Sequence, residues 1–236
     1  MRRRKFLGLC SAGALALAQG ELLRSVWAKG PVRRYDRVRL VDAHGKPVRA
    51  AALEVDEPYI FFYPYVGTPC YLIRLSVPTH GEDLKTAQGE SYEWLGGVGP
   101  GKSIVAFAAI CSHLMTHPSA KYSLINYHAE ADKLSGRLNV ITCCAHGSVY
   151  DPAAGGKVLE GPATQPLTAI ELEYDAAGDG LYAVGTRGGE LYLDFFRQFR
   201  HELREEFGRG NRARKIVRHQ ALLRPLREYT RSVVKC

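Results

Sequence analysis

The 236-residue sequence has little of several things that would each define a protein class. It has no apolar run of the roughly 20 residues that cross a bilayer as a helix; the stretch from Phe6 to Ala18 is 13 residues. It has no internal repeat and no low-complexity segment, which excludes solenoid and linker-like architectures. Its six cysteines, Cys10, Cys70, Cys111, Cys143, Cys144 and Cys236, show no spacing of a disulfide framework. It also lacks a uniform charge, although the total is +8. Residues 1–34 hold eight Lys/Arg against one Glu, and residues 195–236 hold twelve against four, while the middle carries twelve against nineteen Asp/Glu. A basic total alone would suggest nucleic acid. An acidic body between two basic ends argues against that partner, and for targeting at one end and surface docking at the other.

The chain opens Met1-Arg2-Arg3-Arg4-Lys5-Phe6-Leu7-Gly8, followed by the short apolar run. A charged n-region before a short h-region is the layout of an export signal. The paired arginines followed by Lys-Phe-Leu resemble the twin-arginine type. Residues 1–28 are therefore expected to be such a signal or a short anchor, with candidate cleavage after Ala18 or Ala28, and the protein to work at the periplasmic side of a bacterial inner membrane.

From Tyr35 onward the pattern is β-like. Val38 to Val41, Tyr59 to Tyr63 and Cys70 to Leu75 are rich in β-branched and aromatic residues and are separated by Gly, Pro, His and Asp turns. Ser103 to Ile110 reads as a buried strand leading to Cys111. Thr168 to Tyr174, the turn Asp175 to Gly180, and Leu181 to Val184 read as a hairpin. After Leu191 the period lengthens: Phe195, Phe199, Leu203 and Phe207 recur every four residues, which predicts an amphipathic helix ending at Gly208. A basic linker follows, and a weaker helical stretch is expected from Ile216 to Val234. The expected organisation is an all-β domain over 35–194 and a basic helical tail over 195–236. That tail could pack on the body, dock on a partner or lie on a membrane surface.

Two boxes carry the chemistry. The first is Cys111-Ser112-His113-Leu114; the second is Cys143-Cys144-Ala145-His146-Gly147-Ser148-Val149-Tyr150-Asp151. Two thiolates on one iron and two imidazoles on another can hold a [2Fe–2S] centre. Neutral imidazoles in place of thiolates make that centre less negative and easier to reduce. A structural zinc is the competing occupant of two Cys and two His, but zinc favours closely spaced cysteine pairs and gives no reason for the Gly-Ser-x-Tyr continuation.

These boxes resemble the Rieske family, over roughly residues 55–190. The resemblance implies an all-β Rieske iron–sulfur fold of small antiparallel sheets with cluster-binding loops. Cys111, His113, Cys143 and His146 fall on the ligand positions. Ser148 matches the serine whose hydroxyl bonds a bridging sulfide, and Tyr150 the tyrosine that bonds a ligand cysteine sulfur; both donors raise the potential. Gly161-Pro162-Ala163, with Pro166, resembles the loop that covers the cluster. The positions of the family's loop-to-loop disulfide hold Thr116 and Ala145, so that bridge is absent, and looser loops with a lower potential are expected. Cys144 has no matching partner in the first box. Cys70 is expected to be a buried small residue, Cys236 a free terminal thiol, and His117 and His128 surface histidines.

The resemblance further implies one-electron transfer as a subunit rather than an independent enzyme. The Gly-Ser-Val-Tyr stretch favours a respiratory, quinol-oxidising complex of cytochrome bc1 type, with a cytochrome b or c partner and quinol. The alternative is the small subunit of a molybdopterin oxidoreductase of the arsenite oxidase type, which Phe62-Tyr63-Pro64, Thr68-Pro69-Cys70 and Gly96-Gly97-Val98-Gly99-Pro100 resemble. A ring-hydroxylating oxygenase would need a second, mononuclear iron domain, and too little chain follows the boxes to supply one.

Overall fold

The computed structural model describes residues 31–236, so the expected export segment lies outside the described residues. The main sheet is built from β1 (Val32–Val41), β2 (Pro58–Phe62), β3 (Pro69–Arg74), β6 (Ile104–Ala108), β11 (Ala169–Asp175), β12 (Gly180–Arg187), β13 (Gln220–Leu222) and β14 (Arg224–Pro225). Its order is β13-β1-β12-β11-β6-β3-β2-β14. A second sheet has the order β10-β9-β8-β7, from β7 (Ile125–His128), β8 (Val140–Cys143), β9 (Ser148–Asp151) and β10 (Lys157–Glu160). A small ribbon pairs β4 (Glu82–Lys85) with β5 (Ser91–Trp94).

The main sheet curls on itself. At one edge β13 pairs with β1, and at the other β14 pairs with β2, yet only Leu223 separates β13 from β14. One short segment therefore clasps both edges, which removes the open strands that would otherwise template aggregation. The clasp has a period of two: Ala221 and Leu223 are buried among Val38, Leu40, Phe61, Leu72 and Ile104, while Leu222 is exposed. This corrects the helix expected from Ile216 to Val234. The alternation suits a strand, Pro225 supplies no N–H for a helix interior, and only one turn, α3 (Leu226–Tyr229), is helical there.

Strand β6 is buried on both faces and passes its alternation on to the first box. Ile104 and Ala106 point into the curled sheet; Val105, Phe107, Ala109 and Cys111 face a second core shared with Ile125, Ile141, Cys143 and Tyr150 of the second sheet. The hairpin expected around Asp175 is β11–β12, with Asp175 opposite Gly180. The amphipathic helix forms as α1 (Tyr192–Gln198) and α2 (Arg200–Phe207), bent at Phe199 and ending before Gly208. Its apolar face seats Tyr192, Phe195, Phe196 and Leu203 against Ala108 and Ile110. Among the described residues, no helix is long and apolar enough to cross a membrane.

Candidate metal centre

The two boxes occupy two loops that the sheets bring tip to tip. The first follows β6 and folds back on itself, with Met115 N–H donating to Cys111 O and Cys111 N–H to Thr116 O, both at 2.9 Å. The second is the β8–β9 turn, closed by Gly147 N–H donating to Cys143 O at 2.9 Å. Cys111 and Cys143 are buried, His113 is partly buried and His146 is exposed. The two imidazoles stand edge to face with ring centroids 4.8 Å apart.

The sulfurs interact directly. Cys143 donates to Cys111, and this pairing, helped by Tyr150 and the His113 N–H, holds the Cys111 thiol below its ordinary range against its burial. The same pairing, together with burial, pushes Cys143 up, opposed by the Ala145 N–H and Thr116. Each cysteine thus accepts from the backbone N–H two residues ahead, an arrangement that stabilises thiolates. Two sulfurs close enough to share one proton suit two ligands on one iron.

The remaining atoms fit an iron–sulfur centre. His113 Nδ1 is buried with no hydrogen-bond partner, and so is Ser148 Oγ. Such orphaned buried atoms are rare in a finished fold and suit a nitrogen reserved for iron and a hydroxyl reserved for sulfur. Among the described residues, no three His, Cys, Asp or Glu side chains converge on one metal ion. The four candidate ligands come as a sulfur pair and an imidazole pair, which suits two irons better than a tetrahedral zinc.

Tyr150 is buried beneath the first box. Its hydroxyl lies 3.2 Å from Cys111 Sγ and also accepts the Ser112 N–H at 3.1 Å. Burial and the Cys111 charge raise its pKa and keep the phenol protonated, so it remains a donor to sulfur. The Gly161–Pro166 segment covers both loops. Gly161 has φ +84°, and a Cβ there would sit 2.2 Å from Gly147 O, so this backbone lies flat on the second loop in a way only glycine allows. On the first loop, Ser112 Oγ donates to Gln165 O at 2.6 Å and Thr164 Oγ1 to Ser112 O at 3.3 Å. Pro162 is exposed on the outside of this cover.

No role for Ser112 or Gln165 is legible in the sequence; both are common polar types whose role shows only in their partners. Two expectations are corrected. Cys236 is not a free thiol: it forms a disulfide with Cys144, 92 residues away. His117 is not a surface histidine: it is buried between Phe195 and Phe199, with ring centroids at 4.7 and 4.6 Å, because the apolar face of α1 closes over the first loop. Burial lowers its pKa to about 4. His128 is partly buried. Cys70 is buried as expected, with its thiol 3.0 Å from Tyr63 O.

The Rieske [2Fe-2S] domain model matches residues 84–171. The chain is 33% identical over 138 residues to iodate reductase subunit IdrB of Pseudomonas sp. (strain SCT), covering 58% of this chain and 57% of that protein. It is 30% identical over 140 residues to iodate reductase subunit IdrB of Denitromonas iodatirespirans, covering 59% and 60%. The match thus spans somewhat under two thirds of these relatives. Among solved structures, the soluble domain of Rieske protein II from Sulfolobus acidocaldarius superposes with a TM-score of 0.47 at 24% identity, covering 66% of this chain and 82% of that one. The chain therefore contains a Rieske [2Fe-2S] domain over residues 84–171, the domain that holds a Rieske-type [2Fe–2S] cluster.

Proposed function

We propose that this protein is the small electron-transfer subunit of an exported molybdopterin oxidoreductase, with Cys111, His113, Cys143 and His146 as cluster ligands. Cys111 and Cys143 would hold one iron as thiolates, and His113 and His146 the other as neutral imidazoles. Ser148 and Tyr150 donate to the sulfurs, and Gly161 and Pro162 belong to the covering loop. When bound, the cluster takes up and releases one electron at a time. The donors at Ser148 and Tyr150 favour the more negative reduced state. The exposed His146 offers the short path to a partner, with the half-exposed Leu114 and Leu134 beside the boxes as an apolar rim.

The observation that carries the choice of complex is the similarity to two proteins named as reductase subunits. It favours the arsenite-oxidase-type layout over the quinol-oxidising, bc1-like complex suggested by the Gly-Ser-Val-Tyr stretch. The basic residues after 194 support docking on a protein partner. Arg197, Arg200, Arg204, Arg212 and Arg214 line one surface recess of about 360 Å³, a positive surface that would attract an acidic one. A disulfide such as Cys144–Cys236 persists in oxidising compartments, which supports the periplasmic location read from the N-terminal signal.

Purification of the tagged protein from its native host under mild conditions tests this reading. Co-elution of a large molybdopterin-containing subunit is expected. A cytochrome b in its place would return the protein to the quinol-oxidising class.

A further inference from the structure

The chain's last residues form a strap across the connection that joins the two boxes. Residues 114–139 carry one strand, β7, and otherwise few regular hydrogen bonds of their own. The strap supplies them. Arg231 N–H donates to Ala120 O at 3.1 Å, Ser123 N–H to Ser232 O at 2.8 Å, and Val234 N–H to Ser123 O at 2.9 Å. The buried Asn126 side chain donates to Val234 O at 2.7 Å. Lys133 N–H donates to Cys236 O at 3.1 Å, so the terminal residue also grips the turn built on Asp132. Asp132 in turn accepts from Thr142, next to Cys143, at 3.1 Å.

The strap ends in a covalent bond to the second box. Cys236 is bonded to Cys144, whose N–H donates to Leu124 O at 2.7 Å. Cys144 is therefore held by its backbone from one strapped segment and by its sulfur from the strap itself. Its chain neighbour is Cys143, which is buried with Cys111 in one core. The first loop, by contrast, reaches the second box through the Tyr150 hydroxyl, which lies 3.2 Å from Cys111 Sγ and accepts the Ser112 N–H at 3.1 Å, hydrogen bonds and not a covalent link.

We propose that the Cys144–Cys236 bond is a positioning device for the cluster: it fastens the second ligand loop to the C-terminal strap, and so holds the sulfur-directed donors Ser148 and Tyr150 in place. Ser148 directly follows the turn that begins at Cys143. A loop released at Cys144 would let the turn drift, lengthen the donor-to-sulfur contacts and weaken their preference for the reduced state. Cys144 and Cys236 touch no iron; they act through Cys143. The inference rests on Cys143 being a cluster ligand.

The test uses the full-length holoprotein. Mass spectrometry after alkylation without reductant should find Cys144 and Cys236 unmodified; alkylation of either would overturn the proposal. Cys236→Ser, which changes one atom of the last residue, and Cys144→Ser should both keep the cluster. Both should show a lower midpoint potential, shifted g-values in the EPR spectrum of the reduced protein, and several-fold faster bleaching by a chelator. A lower Tm with unchanged potential and g-values would make the bond merely structural and overturn the proposal. If either variant fails to fold, the same potential is read on wild-type protein after brief phosphine treatment, with opening of this bond verified by mass. Cys143→Ser separates the two readings: retention of the native EPR signal there would refute the ligand assignment itself, whatever the strap does.

Discussion

Tyr150 places its hydroxyl 3.2 Å from the sulfur of Cys111 and, with the same oxygen, accepts the N–H of Ser112 at 3.1 Å. One phenol thus serves a metal ligand and the backbone of the ligand loop together. Tyr150→Phe should therefore do two things. It should lower the midpoint potential by about 60 mV or more, since a hydrogen bond to a charged group is worth about 1.5–3 kcal/mol and a tenfold change for one electron is 59 mV. It should also destabilise the first loop by about 1–3 kcal/mol through the orphaned Ser112 N–H. Protein-film voltammetry and thermal unfolding of the holoprotein read the two effects separately.

Ser148 differs in having no partner within the chain. Ser148→Ala should lower the potential by a similar amount while leaving Tm nearly unchanged, because no protein hydrogen bond is lost. A potential equal to wild type would mean that this hydroxyl does not reach sulfur.

The imidazole pair is tested by replacement. His113→Ala and His146→Ala should each abolish the anisotropic EPR signal of the reduced Rieske centre, while circular dichroism shows the sheets intact. Survival of that signal in either variant would remove the residue from the ligand set.

Gly161 tests the cover. Gly161→Ala introduces a Cβ 2.2 Å from Gly147 O at a φ of +84°, and the left-handed conformation alone costs roughly 1–2 kcal/mol. The covering loop must lift from the second box, so the visible absorbance of the cluster should decay faster under chelator than in wild type.

His117 supplies a pH dependence. Its pKa falls from 6.5 to about 4 in the folded chain because burial between Phe195 and Phe199 penalises the charged ring. Between these values the unfolded chain binds the proton and the folded chain does not, so stability rises with pH. The contribution is complete above about 6.5 and is lost as pH falls toward 4, up to about 3 kcal/mol. The Tm of wild type should therefore fall more steeply from pH 7 to 5 than that of His117→Phe. Parallel pH profiles would show that the ring is not buried neutral.

The sequence by itself determined the local folding and set out the candidate ligands. The spacing of Cys111, His113, Cys143 and His146, the Ser148 and Tyr150 positions, the buried run into Cys111 and the hairpin around Asp175 are properties of short stretches, set by side-chain chemistry and strand alternation within a few residues. The four-residue period from Phe195 likewise announced the helix and its end at Gly208. What only the tertiary structure decided depends on residues far apart in the chain. His117 is buried because a helix some 80 residues later closes over it. Residues 220–225 are strands because the two edges of the main sheet are there to accept them, and a short segment takes its conformation from available partners as much as from its own propensity. Cys236 finds Cys144 because the strap runs past the second box, and a disulfide requires proximity that no local pattern encodes.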